Sequence, residues 1–467
     1  MGATFHAQGS NQLPDIGTAG VAALPIEQEV RYGNAFMRFA RAGLPIIDDP
    51  VLNEYIDDLG QRLLTNADGV RFPFTFFLIN DPSINAAAFL GGRVKVHTGL
   101  FLYAESESEL ASVLAHEITH VTQRHIARYM EAQASSSAMT LAGLVGSIAL
   151  AVINPTAGIA ALQTTLGLSM QSAINYTRDN EYEADRIGMK TLYDAGFDPM
   201  GMANFFQKLA AEYRYASKPP EMLLTHPLPE TRISEARARA GSYGARALPP
   251  SLDFWLAKVR IQVRYGTETP QALLTYFDSR LQKGDYPLKD AAIYGKALAL
   301  LQLKRTDEAD TLMQELATRH PEDLFVVDAL TDIDLAKGRS AQAIARLERF
   351  RTRMPDNEVV VVNLGNAYLE GGNYQKSIAI LDPYAREHDE NSLAWSLLSD
   401  AYRKAGRMTD LHMARAETLS LRGDYQAAID ELIVARGTTS DKLTLARIEA
   451  RITQLERAKK DLDSLKG

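Results

Sequence analysis

Residues 110–121 read LASVLAHEITHV. Leu110, Val113, Leu114, Ile118 and Val121 recur at three-and-four spacing, the period of a helix, and the pattern predicts one long helix over 105–130. That reading decides what His116-Glu117-Ile118-Thr119-His120 can do. At about 100° per residue the two imidazoles stand about 40° apart on one face, one turn apart along the axis, so both can grip a single Zn²⁺. Glu117 lies about 100° round from His116, close enough to reach a water on the metal but poorly placed to compete as a ligand. It is the candidate general base. The chain has no cysteine, so any metal is held by nitrogen and oxygen.

A catalytic zinc site wants three protein ligands and one open position. Residues 180–186, NEYEADR, offer Glu181 and Asp185 one turn apart on a second apparent helix. Glu181 is the candidate third ligand. Asp185 is the candidate acceptor for the second ring N–H of His116 or His120, which fixes the tautomer of a ligating imidazole. Glu183, about 200° round from Glu181, is expected to face elsewhere. Taken alone, this segment reads equally well as a solvated acidic face; the orphan histidine pair shifts the balance. His97 and His125 read as structural, since a continuous helix puts His125 on the face opposite His116.

Working outward, 467 residues at about 150 per domain suggest roughly three folding units. With 46% apolar and 23% charged residues the composition is that of a globular chain, and the net charge of −8 disfavours nucleic acid as a partner. Residues 1–25 read as a flexible leader, broken by Pro14, Gly17, Gly20 and Pro25 and lacking the basic and apolar regions of a secretory signal. Helical spacing follows over 26–39 and 51–63. The aromatic run 72–79 (FPFTFFLI) and the alternating run 93–97 (RVKVH), after Gly91-Gly92, predict two strands of a small sheet. The second strand, with Val94, Lys95 and Val96, is a candidate exposed edge that pairs with an extended substrate through main-chain bonds; an ordinary interior strand is the competing reading. Residues 132–177 carry no Asp, Glu, Lys, Arg or His. Their apolar run 138–153 is too short and too interrupted to span a membrane, and the stretch reads as a helical hairpin, either in a core or grazing a membrane surface.

After Pro249-Pro250 strand signals stop and a repeat emerges. Ala309, Ala343 and Ser377 lie 34 residues apart, as do Gly338, Gly372 and Gly406, Pro321 and Pro355, and Tyr368 and Tyr402. This 34-residue period resembles the tetratricopeptide repeat, whose paired helices need small residues where they cross. Degenerate units flank it, and 442–465 reads as a capping helix.

The motif at 116–120 followed by Glu181 and Asp185 resembles the Ste24/HtpX-type zinc metallopeptidases of family M48, and so do Asn85-Ala86-Ala87-Ala88-Phe89, Gly91-Gly92, Thr98-Gly99-Leu100 and Thr225-His226-Pro227-Leu228-Pro229. One departure is Ala87, where the family commonly carries an aromatic residue. The resemblance implies that Glu181 is the third zinc ligand, and it places His226 beside the metal, either as a donor to the oxyanion or as a fourth ligand that keeps the protease latent. In membrane-embedded relatives the position of 132–177 holds spanning helices.

The expected fold is mostly α: an α+β zincin-type metallopeptidase domain with a small β-sheet at 26–248, then an all-α tetratricopeptide solenoid at 249–467. The expected site has His116, His120 and Glu181 on one Zn²⁺ per chain, Glu117 and His226 as catalytic groups and Asp185 behind the ligands. The resemblance, combined with the repeats, implies a periplasmic endopeptidase and chaperone-like factor for outer-membrane β-barrel proteins. Its implied substrates are unfolded or stalled outer-membrane proteins, and its implied partners are the β-barrel assembly machinery and the lipopolysaccharide-assembly barrel. The alternative is a tetratricopeptide adaptor or chaperone with a latent metal site.

Overall fold

A computed structural model describes residues 24–134, 170–215 and 221–464. Most of the predicted leader and most of the charge-free stretch 132–177 lie outside the described residues.

α1 (Ile26–Gly43) and α2 (Pro50–Leu64) open the chain. α2 starts at Asp49, whose side chain accepts from the Leu52 N–H, with Pro50 in the first turn where its missing N–H costs nothing. Val51, Leu52, Ile56, Leu59 and Leu63 bury one face of α2 in the core shared with the sheet. That sheet has β1 (Thr75–Ile79), β2 (Ala86–Phe89) and β3 (Arg93–His97) in the order β1-β3-β2. β1 runs parallel to β3, with Thr75 opposite Arg93; β2 runs antiparallel, with Ala86 opposite Val96.

Both predicted strands are present, and among the described residues a third, β2, joins them; Ala86-Ala87-Ala88 has little strand propensity, so the sequence does not signal it, and its neighbour holds it in the sheet. And β3 is the central strand rather than the edge: Val94, Lys95 and Val96 are buried, with their main chain between β1 and β2. Alternation shows that one face is apolar, not whether the strand has two neighbours.

α3 (Thr98–Tyr103), α4 (Glu107–Thr122) and α5 (His125–Ala134) follow. Ser106 caps α4 by accepting from the Glu109 N–H. The single helix expected over 105–130 is broken at Arg124, whose φ is +53°, a conformation a non-glycine residue adopts only when other contacts hold it. The Arg124 guanidinium supplies them, donating from Nε to Glu29 Oε1 (2.7 Å) and from Nη2 to the Leu24 carbonyl. α6 (Met170–Asp194), α7 (Met200–Tyr215), α8 (Glu221–Thr225) and α9 (Glu230–Tyr243) complete this half.

The second half is helical throughout its described length: α10 (Leu252–Tyr265), α11 (Pro270–Lys283), α12 (Lys289–Gln302), α13 (Thr306–Arg319), α14 (Leu324–Ala336), α15 (Ser340–Arg353), α16 (Glu358–Glu370), α17 (Tyr374–Glu387), α18 (Ser392–Lys404), α19 (Met408–Leu421), α20 (Tyr425–Gly437) and α21 (Lys442–Ser464). Gly338, Gly372 and Gly406 sit between the paired helices with φ of 68°, 75° and 73°. One period earlier Lys304 holds the same turn at φ 59°, so the backbone repeat extends past the glycine signal. Ala309, Ala343 and Ser377 are fully buried where helices cross. The N-caps also recur: Asp323, Asn357 and Asn391 accept from the N–H groups of Val326, Val360 and Ala394.

The two halves share one core. A continuous cluster runs from α2, the sheet and α4 into the first repeats, and Arg260, almost fully buried, pairs with both Asp49 and Asp328 at 2.7 Å. Farther along, the solenoid returns to α1, where Ala35 packs with Tyr425, Leu432 and Ile448, and Arg41 reaches Glu390.

Between the halves lies a cavity of about 540 Å³ whose lining includes Asp48, Glu54, Asp57, Asp58, Glu358 and Glu390, with Arg41 among them. Burial, eased by Asn391 and reinforced by Glu54, Asp48 and Asp57, pushes Glu358 up to about 7, against an ordinary value of 4.5. Burial also raises Glu54, Asp57 and Asp58. A carboxyl raised on folding favours the fold below its unfolded value and loses that contribution as pH climbs through the folded one. Calorimetry should therefore show stability falling between about pH 4.5 and 7 from this interface, and Glu358→Gln should recover of order 1–2 kcal/mol at pH 8 with little change at pH 4. A pH-independent effect of the substitution would contradict this account.

Candidate metal centre

α4 and α6 cross closely: a Cβ added to Gly188 would lie 3.0 Å from the Ala115 carbonyl and 3.2 Å from the His116 Cα. That approach brings the two halves of the predicted site together. His116 Nε2 lies 3.0 Å from His120 Nε2 and 3.3 Å from Glu181 Oε2, and His120 Nε2 lies 3.3 Å from Glu181 Oε1. His226, in the turn after α8, brings Nδ1 to 3.4 Å from His116 Nε2 and 3.1 Å from Glu181 Oε1, and Nε2 to 3.5 Å from Glu117 Oε1. One ligand atom from each of His116, His120, Glu181 and His226 thus falls within 4.8 Å of all the others.

The donor set fits a divalent metal. Ring nitrogens and a carboxylate converge on one point, and nitrogen lone pairs turned toward one another are stable only around a cation or a proton. Electrostatics agree. Burial alone depresses His116, yet the Glu181 and Asp185 carboxylates carry it up to about 10 in the absence of metal. Burial, with charge on His116 and His226, takes His120 down to about 4 against the pull of Glu181. Glu181 is held well below the usual carboxylate range despite burial, by His226, Arg232 and His116.

Behind these groups Asp185 Oδ1 lies 3.0 Å from His116 Nδ1. Glu117, 1% exposed, has Oε2 fixed by the Ala88 N–H at 2.8 Å, which leaves Oε1 facing the cluster. Val94, Lys95 and Val96 are not brought to the centre as a free edge; the sheet residue that touches it is Ala88 of β2.

Two groups here escaped the sequence reading. Arg232 of α9 makes a two-pronged contact with Asp185 (Nε to Oδ2 and Nη2 to Oδ1, both 2.7 Å) and donates from Nη1 to Glu181 Oε2 (2.8 Å) and the Pro227 carbonyl (2.7 Å). Nothing local in 230–243 marks it, because its partners lie 47 and 51 residues away. His125 is the other: the break at Arg124 turns its ring back onto His120, with Nδ1 to Nδ1 at 2.9 Å. Glu183 faces away from the cluster, as expected, and meets His125 and Arg128 there. His97 hydrogen-bonds Ser83 and stays apart from the centre.

A helix carrying two candidate ligands and a buried glutamate, a second helix carrying a third candidate, and a sheet whose β2 lies against the first helix are the arrangement of a metal-dependent peptidase, with helical repeats attached. The profile of peptidase family M48 matches residues 50–240, and tetratricopeptide-repeat profiles match 291–323 and 334–401. The chain belongs to peptidase family M48. It is 54% identical over 322 residues to the putative beta-barrel assembly-enhancing protease of Vibrio cholerae, covering 69% of this chain and 66% of that one. It is 50% identical over 340 residues to the beta-barrel assembly-enhancing protease of Yersinia pestis (72% and 69%), and 45% identical over 346 residues to that of Escherichia coli K12 (74% and 71%). The chain spans about two thirds of the length of these curated relatives. Among the described residues no helix is long and apolar enough to cross a membrane.

Proposed function

We propose that the chain is a zinc-dependent endopeptidase of the periplasm that removes stalled or misfolded outer-membrane β-barrel proteins and assists productive ones. The observation that carries the enzymatic part is the convergence of His116, His120 and Glu181 beside a Glu117 carboxylate oriented by a backbone N–H. The names of the relatives support the substrate class, and the repeats suit the recruitment of protein partners, among them the β-barrel assembly machinery and the lipopolysaccharide-assembly barrel.

His116, His120 and Glu181 would hold the zinc, which when bound polarises the peptide carbonyl and makes water acidic enough to be deprotonated near neutral pH. Glu117 Oε1 takes that proton while Oε2 stays on the Ala88 N–H, then returns it to the leaving amine. Asp185 holds the proton of His116 on Nδ1, which leaves Nε2 as the ligand atom. An extended substrate adds to the sheet beside β2, whose other side is already paired to β3.

His226 closes the site in this reading. Its ring lies among His116, Glu181 and Glu117, where a fourth ligand excludes water. The turn is anchored at the Pro227 carbonyl by Arg232. His226→Ala should raise digestion of unfolded β-barrel protein severalfold if the ring is a lock; a fall in turnover would instead make it an oxyanion donor.

A further inference from the structure

Behind His120, on the side away from the cluster, stand two groups to which the reading above gives no role. His120 presents Nε2 to His116 and Glu181, so when that atom ligates a metal the ring proton must sit on Nδ1. The neighbour of that Nδ1 is His125 Nδ1, at 2.9 Å. Two protonated nitrogens cannot share that contact, so His125 Nδ1 is the acceptor and its own proton sits on Nε2. His125 Nε2 lies 3.2 Å from Glu183 Oε2, which also accepts from Arg128 Nη1 at 2.8 Å. Every proton in the row is then assigned: His120 Nδ1–H to His125, His125 Nε2–H to Glu183.

We propose that His125, oriented by Glu183, is the positioning residue for His120, fixing its tautomer and ring plane for the metal as Asp185 does for His116. The backbone is shaped for this contact. In an unbroken helix His125 would stand about 140° round from His120 and the two rings would diverge. The left-handed Arg124 ends α4 and restarts the chain as α5 with His125 in its first turn, and Glu29 and Leu24 hold that residue in place. His125 is 4% exposed, so the contact is shielded from bulk water. Glu183 lies two residues beyond Glu181 on α6, so one helix supplies a ligand to the cluster and orients the group behind another.

The inference rests on the metal-site reading, and competition for zinc against a chromogenic chelator tests the two separately. In the full chain, His125→Leu removes the acceptor and should weaken zinc retention about 10- to 100-fold. His125→Asn places its side-chain oxygen where Nδ1 stood and should stay within about 3-fold of wild type, while Glu183→Ala, which frees the far end of the ring, should fall between them. Thermal melts of the metal-free proteins separate a packing effect from this one: a merely structural His125 lowers the apo melting temperature in both His125 variants without separating their affinities. Zinc held by His125→Leu as tightly as by wild type, or by His125→Asn as weakly as by His125→Leu, overturns the proposal; should His125→Leu not fold, equal retention by Glu183→Ala and wild type does so. Wild type that binds no zinc overturns the metal-site reading instead.

Discussion

Glu117→Gln is expected to lower peptide hydrolysis about 10²- to 10⁴-fold while leaving the bound metal in place. Gln matches the shape of Glu, and its side-chain oxygen still accepts from the Ala88 N–H, so the surroundings of a 1%-exposed residue are kept. What is lost is a site that can receive a proton. The proposed ligand atoms of His116, His120 and Glu181 are untouched, so metal content should match wild type. An adaptor with a latent site would show no fall in its biological activity; parallel assays of cleavage and of barrel assembly therefore separate the two readings.

Arg232→Met should be the most destabilising single change at the centre, by about 3–5 kcal/mol. Arg232 is 2% exposed and is the permanently charged group shared by Asp185 and Glu181, both buried, which also meet His116. A neutral side chain of similar length removes the permanent charge and the two-pronged contact and leaves the two buried carboxylates to the His116 and His226 imidazoles, and a buried ion pair that loses one partner costs far more than the pair itself contributes. It also frees the Pro227 carbonyl and with it the turn that carries His226. Arg232→Lys keeps the charge but not the two-pronged geometry, so its loss should be smaller. Chemical denaturation of the metal-free proteins measures both, and a loss below about 1 kcal/mol for Arg232→Met would refute this role.

The parts of the site that local spacing fixes are legible in the sequence. His116 and His120 are one turn apart on whatever helix carries them, and Glu181 and Asp185 are likewise one turn apart on theirs. The repeats are legible for a related reason: each unit packs chiefly on its neighbours, so its small and turn residues recur with the chain. Groups whose partners are distant are not. Arg232 meets carboxylates about 50 residues away, and Arg41 meets Glu390 across 349 residues, contacts that leave no period to read. The position of His125 is not legible, because a positive φ at an arginine has no sequence signature and helical periodicity runs through it. The edge and interior readings of β3 are not separable from sequence because its partner β2 is a run of alanines with little strand signal.

Metal analysis of purified wild type beside Glu181→Gln, both dialysed against a weak chelator, tests most directly whether side chains from α4 and α6 close round one ion. About one equivalent of divalent metal per wild-type chain and less than about a tenth of that in Glu181→Gln is the predicted result. A Glu181→Gln protein that holds metal as firmly as wild type, or a wild type that holds none, would contradict it.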